Sequence, residues 1–257
     1  MKALAVAANT VRETLRERLM YNLAIFGLIL IGGSLTISQL TLGEQFRIIA
    51  DIGTGSTQLF ATLIAVFLGV AIVARELDRR TCYAALARPV SRGEFLVGKY
   101  LGLVAVLALN VAAMAAATAL MLLVYRGSGD AFGLHFVAAF LLILVQVALC
   151  AAFAVLFSSF STPTLAVILT LAVIGIGHVF GEVRGFWLTS PEVGLKSVVR
   201  VLDFVVPNLG LLDMKEALTY GDAVAPLSLL ARVGYGLGWA GAVVALAAVV
   251  FSRKDVR

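Results

Sequence analysis

The sequence predicts an all-α polytopic membrane protein with six transmembrane helices. Hydrophobic residues make up 61% of its 257 residues and charged residues only 14%, and the mean hydropathy is +1.02, outside the range of soluble domains. The apolar residues are concentrated in five windows without a charged side chain, the shortest of 20 residues. A helix needs about 20 apolar residues to cross the hydrocarbon core and satisfies its own backbone there.

The five uncharged windows cover residues 19–43, 52–74, 100–125, 131–181 and 233–252. The fourth window is long enough for two helices, and it is divided at 158–164, where serines and Pro163 can end one helix and begin the next. A single domain covering 1–257 is therefore predicted, with spans at about 21–41, 54–74, 100–125, 132–157, 164–181 and 233–252.

Charge predicts the orientation. Six spans place both termini on one side, and that side has 13 basic and 6 acidic residues, against 7 and 9 on the other. Basic loops remain in the cytoplasm, so both termini are predicted to be cytoplasmic. The net charge of +5 then reflects membrane topology and gives no reason to expect nucleic-acid binding.

Residues 1–20 are predicted to form an amphipathic helix in the membrane interface. Leu4, Ala8, Val11, Leu15 and Leu19 recur at intervals of three and four, which places them on one helix face. This helix could act as a topology anchor or as part of a docking surface, and the pattern is compatible with both.

The sequence contains no recognisable catalytic motif and no acidic residue inside a predicted span. His135 and His178 lack a third ligand nearby in sequence, so no metal site is predicted. Polar residues that could line a substrate path are Asn110, Thr118, Gln146 and His178, although each could instead bond a neighbouring helix. The absence of acidic residues from the spans disfavours a self-powered carrier or channel.

The segment 75–99 is the most informative soluble part of the chain, reading RELDRRTCYAALARPVSRGEFLVGK. Leu77 belongs to an apolar strip of a short helix, Pro89 ends that helix, and Ser91 can begin the next one. A short helix held between two spans can transmit a push from a partner. The residues alone also fit a solvated basic loop.

The run from RELDRRT through LARPVSRGEFLVGKYLG, the six spans and the turn FSSFSTPTLA resemble the membrane subunit of ATP-binding-cassette (ABC) transporters. The class is that of type-2 permeases, or type V exporters, and the closest resemblance is to the branch associated with multicopper-enzyme maturation. The resemblance implies a permease, not an enzyme, in the bacterial cytoplasmic (inner) membrane. ATP and Mg²⁺ would bind to a separate ATPase subunit, with no cofactor bound by this chain.

The resemblance also implies partners and a coupling interface. The permease would pair with a second copy or a paralogue, and the pair would bind an ATPase dimer through the helix after the second span. By position, the interface would comprise Glu76, Leu77, Asp78, Arg79, Arg80, Thr81, Pro89, Ser91, Arg92 and Gly93, with Lys99 setting the turn into the third span.

The segment 182–232 is predicted to carry short helices on the outer side of the membrane. Leu195 and Leu202 belong to an apolar helical pattern that Pro207 ends, and Asp213 fits the cap of a second helix. These helices could gate an exit, receive an extracytoplasmic accessory protein or cover the bundle.

One alternative function is an ATPase-driven mechanical transmitter that acts on an extracytoplasmic partner without transporting cargo. The residues leave the identity of the cargo open, as well as the choice between a homodimer and a heterodimer.

Overall fold

The computed structural model describes residues 2–40, 45–78, 92–126, 133–189, 206–213 and 225–253. Within these ranges it contains seven α-helices, one 3-10 helix and no strand. The α-helices are α1 (Lys2–Thr14), α2 (Arg18–Ser38), α3 (Gln45–Asp78), α4 (Arg92–Arg126), α5 (Leu134–Ser158), α6 (Pro163–Thr189) and α7 (Pro226–Arg253), and the 3-10 helix is Leu209–Leu212.

Five helices are long and apolar enough to cross a membrane: α2, α3, α4, α5 and α7. In α6 the apolar stretch Pro163–Val179 is shorter, although the helix itself continues to Thr189. Several helices extend beyond the uncharged windows that predict them. The reason is that the i to i−4 hydrogen bonds of a helix continue past the hydrocarbon boundary wherever the next residues favour them.

Helix α5 forms the centre of the bundle. It packs against α3, α4, α6 and α7, and most of its side chains are buried, although Val137 and Leu141 are exposed. Its aromatic residues pack in sequence, with the rings of Phe136 and Phe140 4.7 Å apart and those of Phe153 and Phe157 6.0 Å apart. A helix that is apolar all round can be surrounded by other helices or by lipid, and in α5 other helices cover most of the surface.

The connection between α5 and α6 is a tight turn over residues 159–162. The hydroxyl of Ser161 donates to the carbonyl of Phe157 at 2.7 Å, and the amide of Ala166 donates to the carbonyl of Thr162 at 2.8 Å. Pro163 occupies the first position of α6, where its missing amide proton is not needed. The turn coincides with the division of the long uncharged window.

Close approach of two helix backbones holds α1 against α4. A Cβ atom at Gly102 would lie 2.6 Å from the Cβ atom of Thr10 and 2.7 Å from the carbonyl oxygen of Ala7. The predicted apolar face of α1 is therefore only partly correct, because Leu4 and Ala8 are exposed whereas Thr10 is buried against α4. The residues of α1 that face α4 are therefore set by the small size of their side chains more than by their hydrophobicity. The hydroxyl of Thr10 donates a hydrogen bond to the carbonyl of Val6 at 2.9 Å.

Helix α2 lies at the edge of the bundle. It packs on α3 and α4, and its opposite face exposes large apolar side chains, among them Ile25, Phe26 and Ile29. Such a face suits contact with lipid chains better than contact with water.

Candidate functional site

Three polar side chains from three helices meet inside the bundle, and we call them the polar relay: Gln58 of α3, Gln146 of α5 and His178 of α6. Gln58 Nε2 donates to Gln146 Oε1 at 3.0 Å. Gln146 Nε2 lies 3.1 Å from His178 Nε2, and Gln58 Nε2 lies 3.4 Å from the same atom. The relay therefore ties together helices far apart in sequence.

The histidine tautomer follows from its neighbours. His178 Nδ1 lies 2.9 Å from the carbonyl oxygen of Ile174, and a carbonyl can only accept, so Nδ1 carries the proton. Nε2 of the neutral ring is then an acceptor, in agreement with the amide nitrogens that approach it. Gln58 therefore donates to Gln146, and the amide nitrogens of both glutamines face the acceptor atom of the histidine.

The two glutamines of the relay are buried, His178 is half-buried, and the relay ends in an unpaired atom. Gln146 is 0% exposed and Gln58 is 7% exposed. Among the residues that the structure describes, Gln58 Oε1 has no hydrogen-bond partner, and neither does Thr62 Oγ1 one turn further along α3. Buried polar atoms are nearly always paired, so an exception of this kind marks a place where a ligand or water can bind.

The 3-10 segment at 206–213 packs beside the relay. Its Pro207 and Leu209 contact Gly177, the residue before His178. The hydroxyl of Tyr235 in α7 accepts the amide proton of Asn208 at 2.8 Å, and Arg232 donates to the carbonyl of Leu211 at 3.0 Å. This part of the predicted outer segment packs against α5, α6 and α7, with Leu209 and Leu212 buried and Leu211 exposed.

A second polar arrangement lies at the end of the bundle where α3 stops and α4 starts. Lys99 of α4 donates to Glu13 of α1 at 3.1 Å, and Arg75 of α3 forms an ion pair with Glu17, which precedes α2. The Lys99 side chain is 7% exposed and lies 5.6 Å from the ring centroid of Phe95. The two helices that flank residues 79–91 are therefore both attached to the N-terminal segment.

Half of the residues of the predicted coupling interface lie outside the described part of the chain. The backbones of Glu76, Leu77 and Asp78 belong to the last turn of α3, and those of Arg92 and Gly93 to the first turn of α4. Residues 79–91 lie outside the described ranges, and with them Arg79, Arg80, Thr81, Pro89 and Ser91. The same holds for most of the predicted outer helices, at 190–205 and 214–224.

Of the four predicted path residues, the structure brings together two, Gln146 and His178. Thr118 donates to the carbonyl of Met114 in its own helix at 3.0 Å. Asn110 is buried, and its Oδ1 atom has no partner within the described ranges. Neither of these two residues joins the relay.

Gln58 is the relay member that the sequence prediction missed. A signal was present, because Thr54, Ser56, Thr57 and Gln58 form a polar run with Gly55 inside the second uncharged window. Thr54 and Thr57 bond carbonyls of their own helix, but a glutamine reaches further and must find a partner on another helix.

Comparison with known proteins identifies the family. The family model described as ABC-2 family transporter protein matches residues 4–256. The chain belongs to this family. A search of curated proteins found no match.

Membership of the family establishes the class of the protein. It is an integral membrane protein and an ABC permease subunit, and the family implies an ABC ATPase as its partner. Family members are membrane transport subunits that normally have no ATPase site of their own. The polar relay and the attachment of α1 are thus features of a transport subunit.

Replacing Gln146 by leucine is expected to lower the free energy of unfolding by about 1–2 kcal/mol, because Gln58 and His178 lose their shared hydrogen-bonding partner. Denaturant titration of the purified protein in mixed micelles measures this change. Thr118→Val is the matched control, since its hydroxyl bonds only its own helix. Equal losses in the two variants would contradict a stabilising role of the relay.

Proposed function

We propose that this chain is the transmembrane subunit of an ABC exporter that works as a dimer of two such subunits, either two copies or a copy with a paralogue. Each subunit crosses the membrane six times, with both termini in the cytoplasm, and an ATPase dimer binds ATP and Mg²⁺. The family match across residues 4–256 carries the proposal. Helix α6 would be the fifth of these spans, and its uncharged part, residues 163–181, corresponds to about 28 Å of helix, close to the thickness of the hydrocarbon core.

The segment between α3 and α4 is proposed to receive the force of the ATPase. The attachment of both flanking helices to the N-terminal segment, through Lys99 with Glu13 and Arg75 with Glu17, supports this role. Because α3, α4 and α1 are joined there, a displacement of the connecting segment moves them together instead of bending one helix alone.

Movement of α3 would reach the polar relay directly. Gln58 lies on α3, which packs along the central helix α5, and its amide bonds Gln146 of that helix. A shift between α3 and α5 therefore changes the relay, and we propose that the relay lies on the substrate path.

The permease is expected to copurify with a cytosolic ATPase and to move cargo only while ATP is hydrolysed.

Glu76→Ala and Arg79→Ala are expected to leave ATP hydrolysis measurable while reducing transport at least about tenfold, because the loss of a contact worth about 1.4 kcal/mol corresponds to a tenfold change. Transport is measured in proteoliposomes that contain the copurified complex.

Arg47→Ala is the matched control, since Arg47 lies at the opposite end of α3. Normal transport by Glu76→Ala and by Arg79→Ala would show that this segment does not couple ATP hydrolysis to transport. Transport by the permease without any ATPase would disprove the proposed function as a whole.

A further inference from the structure

The unpaired end of the polar relay has a defined hydrogen-bonding character. Gln58 Nε2 is committed to Gln146 Oε1, so the Gln58 amide cannot turn over without placing two oxygens against each other. The atom left over is a carbonyl-type oxygen, which can only accept. A group that binds there must donate an O–H or N–H.

The surroundings of this oxygen favour an uncharged group. Residues 52–74 and 131–181, which contain all three relay members, include no charged residue. His178 is neutral in the tautomer that its contacts require, and its Nε2 lone pair faces the two amides. A charged ligand would lose its hydration without gaining an opposite charge, which is unfavourable inside a bilayer.

The hydroxyl oxygen of Thr62 is a second polar atom that can take part in the site. Thr62 Oγ1 is buried without a partner in the described part of the chain, and it lies four residues from Gln58, on the same face of α3. Two unpaired oxygens on residues one helical turn apart can bind one hydroxyl or amide group together, with the threonine as donor or acceptor.

We propose that Gln58 Oε1, assisted by Thr62 Oγ1, accepts a hydrogen bond from an uncharged hydroxyl or amide group of the transported molecule. The ligand also carries an apolar body, because the relay lies among the apolar side chains of α3, α5 and α6. This inference rests on the proposed function, since it assigns the site to a transported molecule. An ordered water has the same donor chemistry and is the other occupant that the test must distinguish.

The test compares two probes that differ in one hydrogen-bond donor: a hexadecanol that carries a diazirine near its hydroxyl group, and the methyl ether of the same molecule. Each is photoactivated with the full-length chain in lipid nanodiscs without an ATPase, and labelled positions are mapped by peptide mass spectrometry. We expect the alcohol to label α3 and α6 around Gln58 and His178 about fivefold more than the ether does, which corresponds to one net hydrogen bond.

Gln58→Met keeps the length of the side chain and removes its polar atoms, so alcohol labelling is expected to fall to the level of the ether. Thr118→Val is the control, because it removes a buried hydroxyl outside the relay and should leave the preference unchanged. If the two probes label the wild-type protein equally, the oxygen is satisfied by water alone and the proposal is wrong. That comparison needs no variant, so it remains decisive if Gln58→Met does not fold.

The outcome is independent of the ATPase experiment. Loss of the alcohol preference would refute the site and leave ATPase-driven transport untouched. Absence of an ATPase partner would refute the transport mechanism and leave the labelling result in place.

Discussion

Replacing Gly69 by leucine is expected to lower the free energy of unfolding by about 3 kcal/mol, the upper end of the usual range for overpacking. A Cβ atom at this position would lie 2.7 Å from the Cβ atom of Ala154 and 3.4 Å from the carbonyl oxygen of Ala151. Both atoms belong to α5 at its contact with α3, and neither can rotate away. The two helices must separate, and buried packing on both sides of the contact is lost.

Denaturant titration in mixed micelles measures this effect, with Gly55→Leu as the matched control. Gly55 is on the same helix, and a Cβ atom there would meet nothing within 4 Å. The control is expected to change stability by less than about 1 kcal/mol. If Gly69→Leu and Gly55→Leu proved equally stable, α3 and α5 would not pack as closely as described.

Replacing Gly102 by leucine is expected to detach α1 from α4. The nearest atoms to an added Cβ include the carbonyl oxygen of Ala7 at 2.7 Å, and a backbone atom can move only if its helix moves. Detachment also separates Glu13 from Lys99. Amide hydrogen exchange in α1 is therefore expected to accelerate about tenfold or more, because local opening requires less free energy once the helix is undocked.

Exchange is followed by mass spectrometry of peptides from residues 2–14. Gly33→Leu on α2 is the control, since a side chain there meets nothing within 4 Å, and it should leave α1 protected. Unchanged exchange in Gly102→Leu would mean that α1 is held in place by contacts other than its approach to α4.

The general architecture could be predicted from the sequence because the hydrophobic signal is local. Each uncharged window predicts a helix by itself, and the serines and Pro163 divide the longest window without knowledge of any contact. The ends of the helices were less predictable. Helix α7 begins at Pro226, seven residues before its window, whereas the start of α4 at Arg92 lies next to Ser91, where the sequence indicates a helix start.

The candidate site was harder to predict from the sequence, because it is formed by residues that are far apart in the chain. Gln58 and Gln146 are 88 residues apart, and no spacing rule predicts which faces of α3 and α5 meet. The contact face of α1 was missed for a related reason, since Thr10 is chosen by the space beside Gly102 and not by its hydrophobicity. The hydrophobic pattern of one helix indicates whether a face is buried, whereas the helix that covers this face is determined by the packing of the whole bundle.

The central position of α5 has a consequence for how the protein is made. Two of its neighbours, α3 and α4, are synthesised before it, but α6 and α7 follow. One flank of α5 packs against α7, where Val145 lies beside Gly236, so this flank stays in contact with lipid or an insertase until α7 leaves the ribosome. Nascent chains that stop before residue 226 should therefore be retained by the insertion machinery or degraded by membrane proteases.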